Sequence, residues 1–580
     1  MNSKTPNFDK VLEDYYRELK LNENGGQWRT CRFSGEKFYV QPEDIGFYKR
    51  IGVPLPTLSP AERLRRRGAY LNNYNLFKIS SAHSQKPIVA AYPPDTPYKI
   101  FEHKFWFSGK WNPLDYGFAP TGDSFFAQFG KLQKAVPRPN LITDSTNIGS
   151  DYTNTSINLR DCYFTFSTLS GENLYYFDCC DSSKDCVDCE SAWNATDCYH
   201  SQLVYDCYKC AVCEDCRNCL NSFFLFDCRD CDHCFMSSNL RHKKYYFMNR
   251  PLPKEEYEAE LKKINLGNYL EFLKYLAQFD ELQKEAIRKP DHNFKSVNCS
   301  GDFILNSKNC HAGNYLVDAE NVNYSFGLGY YKDSYDGFGG GGGELCYEFT
   351  SISTTGNYNV KFSVQMGEAR DVEYCDLCRN CHDCFGCIGL QNKSFCVLNK
   401  QYSEGDYWRT VDDLKMAMLK NGEYGEFFPP KLMPIPYKLS FMTAYNNFCD
   451  YEKAERYGYD VRDVAAVSEK PEGEIINAAD LPEDIKDVDD SMLKKAVFDD
   501  VNNRYFRIVP YELAFYRRNS FPLPRIHPLQ RLARFREIYD FLIHTYARHC
   551  KKCGVAIVSV FDPKEYESVY CESCYNAEVV

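Results

Sequence analysis

The sequence lacks a long apolar run: no stretch of about eighteen apolar residues occurs along the 580 residues, so no segment reads as a membrane-spanning helix. The opening MNSKTPNFDKVLEDYYRELK has no apolar stretch of signal-peptide length, and the expectation is a cytoplasmic protein without a membrane partner. An excess of positive charge is also missing. With 69 Lys and Arg against 80 Asp and Glu, net −11, the surface is not built for nonspecific nucleic-acid binding, although a local basic patch is compatible with these totals. Cysteine, by contrast, is abundant, with 29 residues. A secreted disulfide framework requires a short chain with an export signal, and neither condition holds. The thiols are therefore expected to stay reduced, as metal ligands or as small buried apolar groups.

Their spacing separates these roles. Fourteen cysteines lie between residues 162 and 234, and all but Cys179 fall at multiples of three; Cys375, Cys378, Cys381, Cys384, Cys387 and Cys396 keep the same phase. Three blocks of 21 residues, 185–205, 206–226 and 227–247, open with Asp185, Asp206 and Asp227 and close with Tyr205, Phe226 and Phe247. Cys186, Cys207 and Cys228 recur at one block position, and Cys189, Cys210 and Cys231 at another. A repeat of this length predicts a β-solenoid whose coils stack sulfur inside, with Cys381 and Cys384 in the same role in a second segment. The rival reading is metal: C-x2-C runs such as Cys207 to Cys219 also fit iron–sulfur or multi-zinc spacing. The three aspartates are expected to cap turn amides, or else to share a cation.

Two duplications organise the rest. Residues 228–250 align without a gap on 378–400, and each copy precedes a helix-prone stretch, 254–288 and 406–420, the second with Asp406 as candidate cap. Segments between 299 and 374 read as further coils. Gly339–Gly343 lacks the Lys-Ser/Thr of a phosphate loop and reads as a flexible loop. The second duplication matches Phe47-Tyr48-Lys49-Arg50 and Pro54-Leu55-Pro56 with Phe515-Tyr516-Arg517-Arg518 and Pro522-Leu523-Pro524, continuing through Arg63 and Arg531. Around these blocks Cys31, Ser34, Ser59 and Glu62, and then Asp499, Asn502, His527 and Gln530, stand at C-x2-C positions. They read as two ribbon-like knuckles without metal, since one thiolate cannot complete a tetrahedral site.

One ribbon is intact. Cys550-x2-Cys553 and Cys571-x2-Cys574 bracket an apolar strand, and Gly554 follows where a tight knuckle needs a permissive backbone. Four thiolates select zinc and leave no open position, so about one structural Zn2+ per chain is expected. The FYKRIGVPLP block, the run CFGCIGLQNKSFCVLNKQYSEGDY, the FYRRNSFPLPR block and the final YCESCYNAEV together resemble Cys-rich zinc-ribbon proteins encoded by ultrasmall candidate-phylum bacteria. That resemblance implies zinc ribbons at both ends of a Cys-rich middle and brings no activity with it. Ser34, Ser59 and Glu62 depart from it where cysteines would be expected.

The resulting fold class is mainly β with helical additions: a parallel β-helix-like, Cys-rich solenoid in two segments, flanked by zinc-ribbon-like terminal domains. The expected order is a degenerate ribbon (1–72), an α+β linker region (73–145), the first solenoid segment (146–250), a helical insertion (251–290), the second segment (291–402), a helical cover (403–449), an acidic linker (450–500) and the C-terminal domain with the ribbon (501–580). The favoured function is a scaffold for a protein or nucleic-acid partner, with Arg65, Arg66, Arg67, Lys551 and Lys552 as candidate phosphate contacts; Arg63, Arg531, Arg534, Arg536 and Arg548 extend that basic set. A carbohydrate-active enzyme using Asp232-His233 or His382-Asp383, near Asp336 and Glu344, is the second reading. A multi-metal or redox-sensing protein is the third.

Overall fold

The structure is a computed structural model and describes residues 3–72, 74–143, 146–350, 356–444, 448–464, 470–536 and 544–579. Strands dominate, with some helices, and the two largest elements are ten-stranded sheets. The chain forms two compact units whose parts are far apart in sequence. Unit 1 gathers Met1–Asn140 and His292–Val464; unit 2 gathers Leu141–Asp291, Ala465–Tyr539 and His544–Val580. The N-terminal ribbon-like region thus shares a unit with the second Cys-rich segment, and the C-terminal region shares one with the first.

In unit 2 the large sheet runs from Leu159–Arg160 to Arg250–Pro251, parallel until its final antiparallel pair. Successive strands pair twelve residues apart: Gly171 with Ser183, Gln202 with Glu214, Phe223 with Phe235. The 21-residue blocks are therefore not the structural repeat. Cys186 belongs in register with Cys198 and Cys210 rather than with Cys207, and Asp185, Asp206 and Asp227 do not stack on one another. Each of the three accepts instead from a side-chain amide one repeat away, Asp185 from Asn173 at 2.8 Å, Asp206 from Asn194 at 3.1 Å and Asp227 from Asn239 at 2.7 Å.

The backbone explains the phase of the cysteines. From Asn173 to Met248 every third residue is left-handed, with φ between 46° and 58°. The residue after each left-handed corner lies at a multiple of three, and there the chain buries Cys186, Cys189, Cys198, Cys207, Cys210, Cys213, Cys216, Cys219, Cys228, Cys231 and Cys234. A left-handed L-residue costs about 1–2 kcal/mol, and Asn and Asp bear it best. Asn194, Asp197, Asp206, Asn218, Asn221 and Asp230 stand at such corners accordingly. Ladder hydrogen bonds and the buried inner residues offset the remainder.

The inner thiols have backbone partners. Cys198 Sγ lies 3.5 Å from the Thr196 carbonyl and 3.7 Å from that of Cys207, and Cys219 Sγ lies 3.4 Å from Arg217 O and 3.5 Å from Cys228 O. The same offsets recur in unit 1, as at Cys387. A thiol donates weakly to a carbonyl, so it can be buried without leaving a strong polar group unpaired. Burial raises the Cys162 thiol to about 11 and the Cys346 thiol to about 12.

Unit 1 carries the matching sheet, Gly301–Leu305 to Lys400–Gln401, again parallel until a final antiparallel pair. Tyr347 pairs with Lys361 fourteen residues on, where the counterpart Tyr199 pairs with Ala211 twelve on. Those two extra residues shift the offset between the copies from 148 before this point to 150 after it. Gly339–Gly343 is not a loop; it lies within the strand Phe326–Glu344, where a Cβ on nearby Gly337 would meet Leu328 and Phe349. The helix expected near 406–420 spans Glu404–Lys420 and is capped by Ser403, whose Oγ accepts from Asp406 N, rather than by Asp406. Nor is 450–500 only a linker: Ile475–Asn477, Ala496–Asp499 and Arg504–Phe506 form a sheet, while 465–469 lie outside the described residues.

A pair of proline-started helices packs on each large sheet: α1 (Pro42–Arg50) and α2 (Pro60–Gly68) in unit 1, α3 (Pro510–Asn519) and α4 (Pro528–Arg536) in unit 2. Phe47 of α1 stacks on Tyr335 at 3.9 Å, and Tyr516 of α3 meets Tyr199 at 5.7 Å. Beneath them lies the same polar cluster twice. Arg63 donates to Asp336 (3.0 Å) while Tyr324 OH donates to Asp44 (2.8 Å); Arg531 pairs with Asp188 (3.1 Å) while Tyr176 OH donates to Glu512 (3.0 Å).

Candidate metal centre

Among the described residues four β-hairpins share one turn, two in each unit. Gln27–Thr30 pairs with Lys37–Val40, Phe77–Ser80 with Pro87–Ala90, Ala496–Asp499 with Arg504–Phe506, and Tyr546–His549 with Ala556–Ser559. In three of them the first knuckle residue closes the same turn: Cys31 N to Glu36 O, Ser81 N to Lys86 O and Cys550 N to Val555 O, at 2.8–2.9 Å. All four then place a left-handed residue at the same point, Gly35, Gln85, Asn503 and Gly554. A glycine or a polar residue is needed there because most side chains are strained in that conformation.

What fills the knuckle differs. In the last hairpin, Cys550, Cys553, Cys571 and Cys574 bring their sulfurs within 4.8 Å of one another, with Cys553 and Cys571 at 3.7 Å. Cys571 directly precedes the helix Glu572–Val579, which turns Cys574 back toward the hairpin. Cys550 is buried, Cys571 and Cys574 are half-buried and Cys553 is exposed. Burial pushes the Cys550 thiol up, yet the N–H groups of Cys553, Cys571 and Lys552 outweigh it and bring the thiol down to about 6. Backbone donors arranged around a sulfur favour the thiolate, the form that ligates a metal. This four-cysteine group can hold a metal ion, and among the described residues no other set of three or more His, Cys, Asp or Glu converges closely enough.

The other three knuckles are closed by hydrogen bonds. At Cys31 burial raises the thiol, but the Ser34 hydroxyl and the N–H groups of Ser34 and Ser59 more than cancel that. Glu62, the fourth position, pairs with Arg65 at 2.8 Å and Lys453 at 3.1 Å. Asp499 accepts from Asn502 N (3.1 Å), Asn502 Nδ2 (2.8 Å) and His527 N (2.8 Å). Burial lowers His527 to about 4, so it stays neutral. The knuckle at Ser81 was not read from the sequence, because it contains no cysteine. Glu102 there accepts from both Ser81 Oγ and Ser84 Oγ. The available signal was spacing: Ser84 and Glu102 are as far apart as Cys553 and Cys571, and Glu102 likewise directly precedes a helix, His103–Trp106.

The candidate nucleic-acid contacts divide. Arg63, Arg65, Arg66 and Arg67 are at most 3% exposed, so the basic run is no phosphate-binding face. Arg65 meets Glu62, Arg66 meets Glu348 and Glu426 at 2.9 Å each, and Arg67 meets Asp336 at 3.1 Å. Four guanidiniums on two helical turns are tolerated because each has a buried carboxylate partner. Arg531 is buried in the same way, Arg534 pairs with Asp280, and Arg548 donates to the Phe561 and Tyr566 carbonyls; the Arg536 side chain lies outside the described residues. Lys551 and Lys552 do reach the surface and pair with Glu567 and Glu578.

The enzyme candidates come no closer to a site. His233 Nδ1 meets neighbouring Asp232, and His382 Nδ1 meets neighbouring Asp383 at 3.0 Å, while Asp336 is consumed by Arg63 and Arg67. The expected inner residues Cys186, Cys189, Cys207, Cys210, Cys228, Cys231, Cys381 and Cys384 are all buried. No helix among the described residues is long and apolar enough to cross a membrane. Compared with known protein families and with curated proteins, the chain matches none.

Proposed function

We propose that the chain is a cytoplasmic scaffold in which two thin, thiol-filled β-solenoids carry an outer face for a protein partner, locked at the C-terminal ribbon by one structural zinc ion. The observation that carries this reading is the fate of the cysteines: the inner ones are buried beside carbonyl acceptors, and only the last four converge. The solenoid is supported by isolated bridges outside the strands, such as Lys184–Thr196, Tyr208–Leu220 and Arg217–Arg229, which keep the twelve-residue register. Zinc is favoured by the all-sulfur donor set. Thiolates about 2.3 Å from a tetrahedral zinc lie about 3.8 Å apart, close to the Cys553–Cys571 separation of 3.7 Å. A closed four-thiolate site offers no position to a substrate.

A protein partner is preferred to nucleic acid because the arginines that would meet phosphates already neutralise buried carboxylates, on a chain of net charge −11. Fluorescence anisotropy with labelled single- and double-stranded oligonucleotides at low salt tests this directly. The expected result is no saturable binding at micromolar protein, whereas tight, salt-dependent binding would overturn the preference.

A further inference from the structure

The two polar clusters under α1–α2 and α3–α4 are the same design with different charge. In unit 1, Asp336 is held by Arg63 and Arg67 and Glu348 by Arg66, so with buried Asp44, which accepts from Tyr324 OH, three carboxylates share three guanidiniums. In unit 2 the position of Arg67 is taken by Phe535 and that of Glu348 by His200, and their rings meet at 5.1 Å. A guanidinium and a carboxylate have both been replaced by aromatic rings. What remains among the described residues is Arg531 alone, 3.1 Å from Asp188 and 3.5 Å from Glu512. Asp188 and Glu512 are both 0% exposed, and neither Asp188 oxygen receives a hydrogen bond.

Two buried carboxylates against one guanidinium leave a net negative charge in a dry interior. An uncompensated buried charge is costly enough that the group takes up a proton instead. We propose that unit 2 contains a buried proton-binding site, shared by Asp188 and Glu512, that stays occupied into the neutral range and whose emptying loosens the hold of α3 and α4 on the sheet. The groups facing it are Tyr163, Tyr175 and Tyr176 from strands, Tyr199 and His200 from the connection after Ser183–Trp193, Glu512 and Tyr516 from α3, and Arg531 and Arg534 from α4. His200 cannot supply the missing positive charge: burial, then Arg534 and Arg531, lower it to about 3. Burial dominates at Asp188 and raises it to about 7 despite Arg531; it raises Glu512 as well.

A folded value above the unfolded one means that the stabilisation is fully present below the unfolded carboxylate range and is lost as the pH climbs through about 7. The buried histidines act in the opposite direction over part of this window, so the test is a comparison. Asn reproduces the shape and donor of a protonated Asp, and Asp188→Asn is expected to fold. Hydrogen exchange followed by mass spectrometry on the full chain, wild type against Asp188→Asn at each pH, reads the opening of unit 2 peptides. The ratio of opening constants, wild type over variant, is expected to rise roughly tenfold per pH unit between about 5 and 7 and to level off above that, while unit 1 peptides stay at a constant ratio. A flat ratio across unit 2, or a variant that does not fold, would overturn the proposal. So would an infrared spectrum of the wild-type chain that shows no protonated carboxyl band at pH 6.

Discussion

Replacing Arg531 by methionine is expected to destabilise unit 2 by about 3–5 kcal/mol at pH 8, the cost of breaking a buried ion pair by removing one partner. Arg531 is the only described guanidinium in contact with Asp188 and Glu512, and its Nη1 also donates to Tyr516 OH at 3.1 Å. Removing it leaves both buried carboxylates without a counter-charge, while Tyr516 OH keeps only its hydrogen bond to Glu512 at 2.9 Å. Arg63→Met in unit 1 is expected to cost distinctly less, because Arg67 still holds Asp336 and Arg66 still holds Glu348. Urea unfolding followed separately in each unit by hydrogen exchange measures both variants. Equal losses, or a loss below about 1 kcal/mol for Arg531→Met, would show that the two clusters are not balanced as described.

Replacing Cys571 by serine is the second large change, expected to unfold the hairpin Tyr546–Ser559 and the helix Glu572–Val579. That helix has only Tyr575 and Val579 buried, and much of the hairpin, including Val555 and Val558, is exposed. Apolar burial this small cannot order some thirty residues, whereas a structural zinc contributes on the order of 10 kcal/mol to folding where the site forms only with the metal. The variant should become protease-sensitive after about residue 544 while both large sheets keep their protection from exchange. A chelator should act in the same way on the wild type. Resistance of the C-terminal segment to both treatments would mean that its contacts with unit 2, such as Arg288 N to Ser568 O and Tyr575 OH to Asp227, suffice without metal.

What was legible in the sequence followed from how strictly the geometry constrains side chains. The every-third-residue phase of the cysteines was visible because a left-handed corner recurs every third residue, and small groups fit behind it. The matching ends 228–250 and 378–400 were visible because both finish a sheet with the same antiparallel return. The repeat length was misread: conspicuous Asp-Cys pairs recur at 21 residues, while the pairing register of twelve is written mainly in backbone angles and in inner positions that alternate among Cys, Ser, Ala, Leu and Val. Arg63–Arg67 looked like a basic face because composition cannot show burial. Apart from Glu62 beside Arg65, their partners Asp336, Glu348 and Glu426 lie hundreds of residues away, brought in by a unit that is discontinuous in sequence. The knuckle at Ser81 was hidden for a chemical reason. Serine and glutamate hydrogen bonds can close the same turn that four thiolates close around an ion, and nothing in Ser-x2-Ser advertises that origin.

The inner sulfurs as packing, and the last four cysteines as the one ligand set, can be separated by counting metal. Elemental analysis of the purified chain, normalised to protein by amino-acid analysis, is expected to find about one zinc per chain and no iron or copper. Five or more ions per chain would mean that the thiols of the two large sheets are ligands, and would contradict the account at its centre.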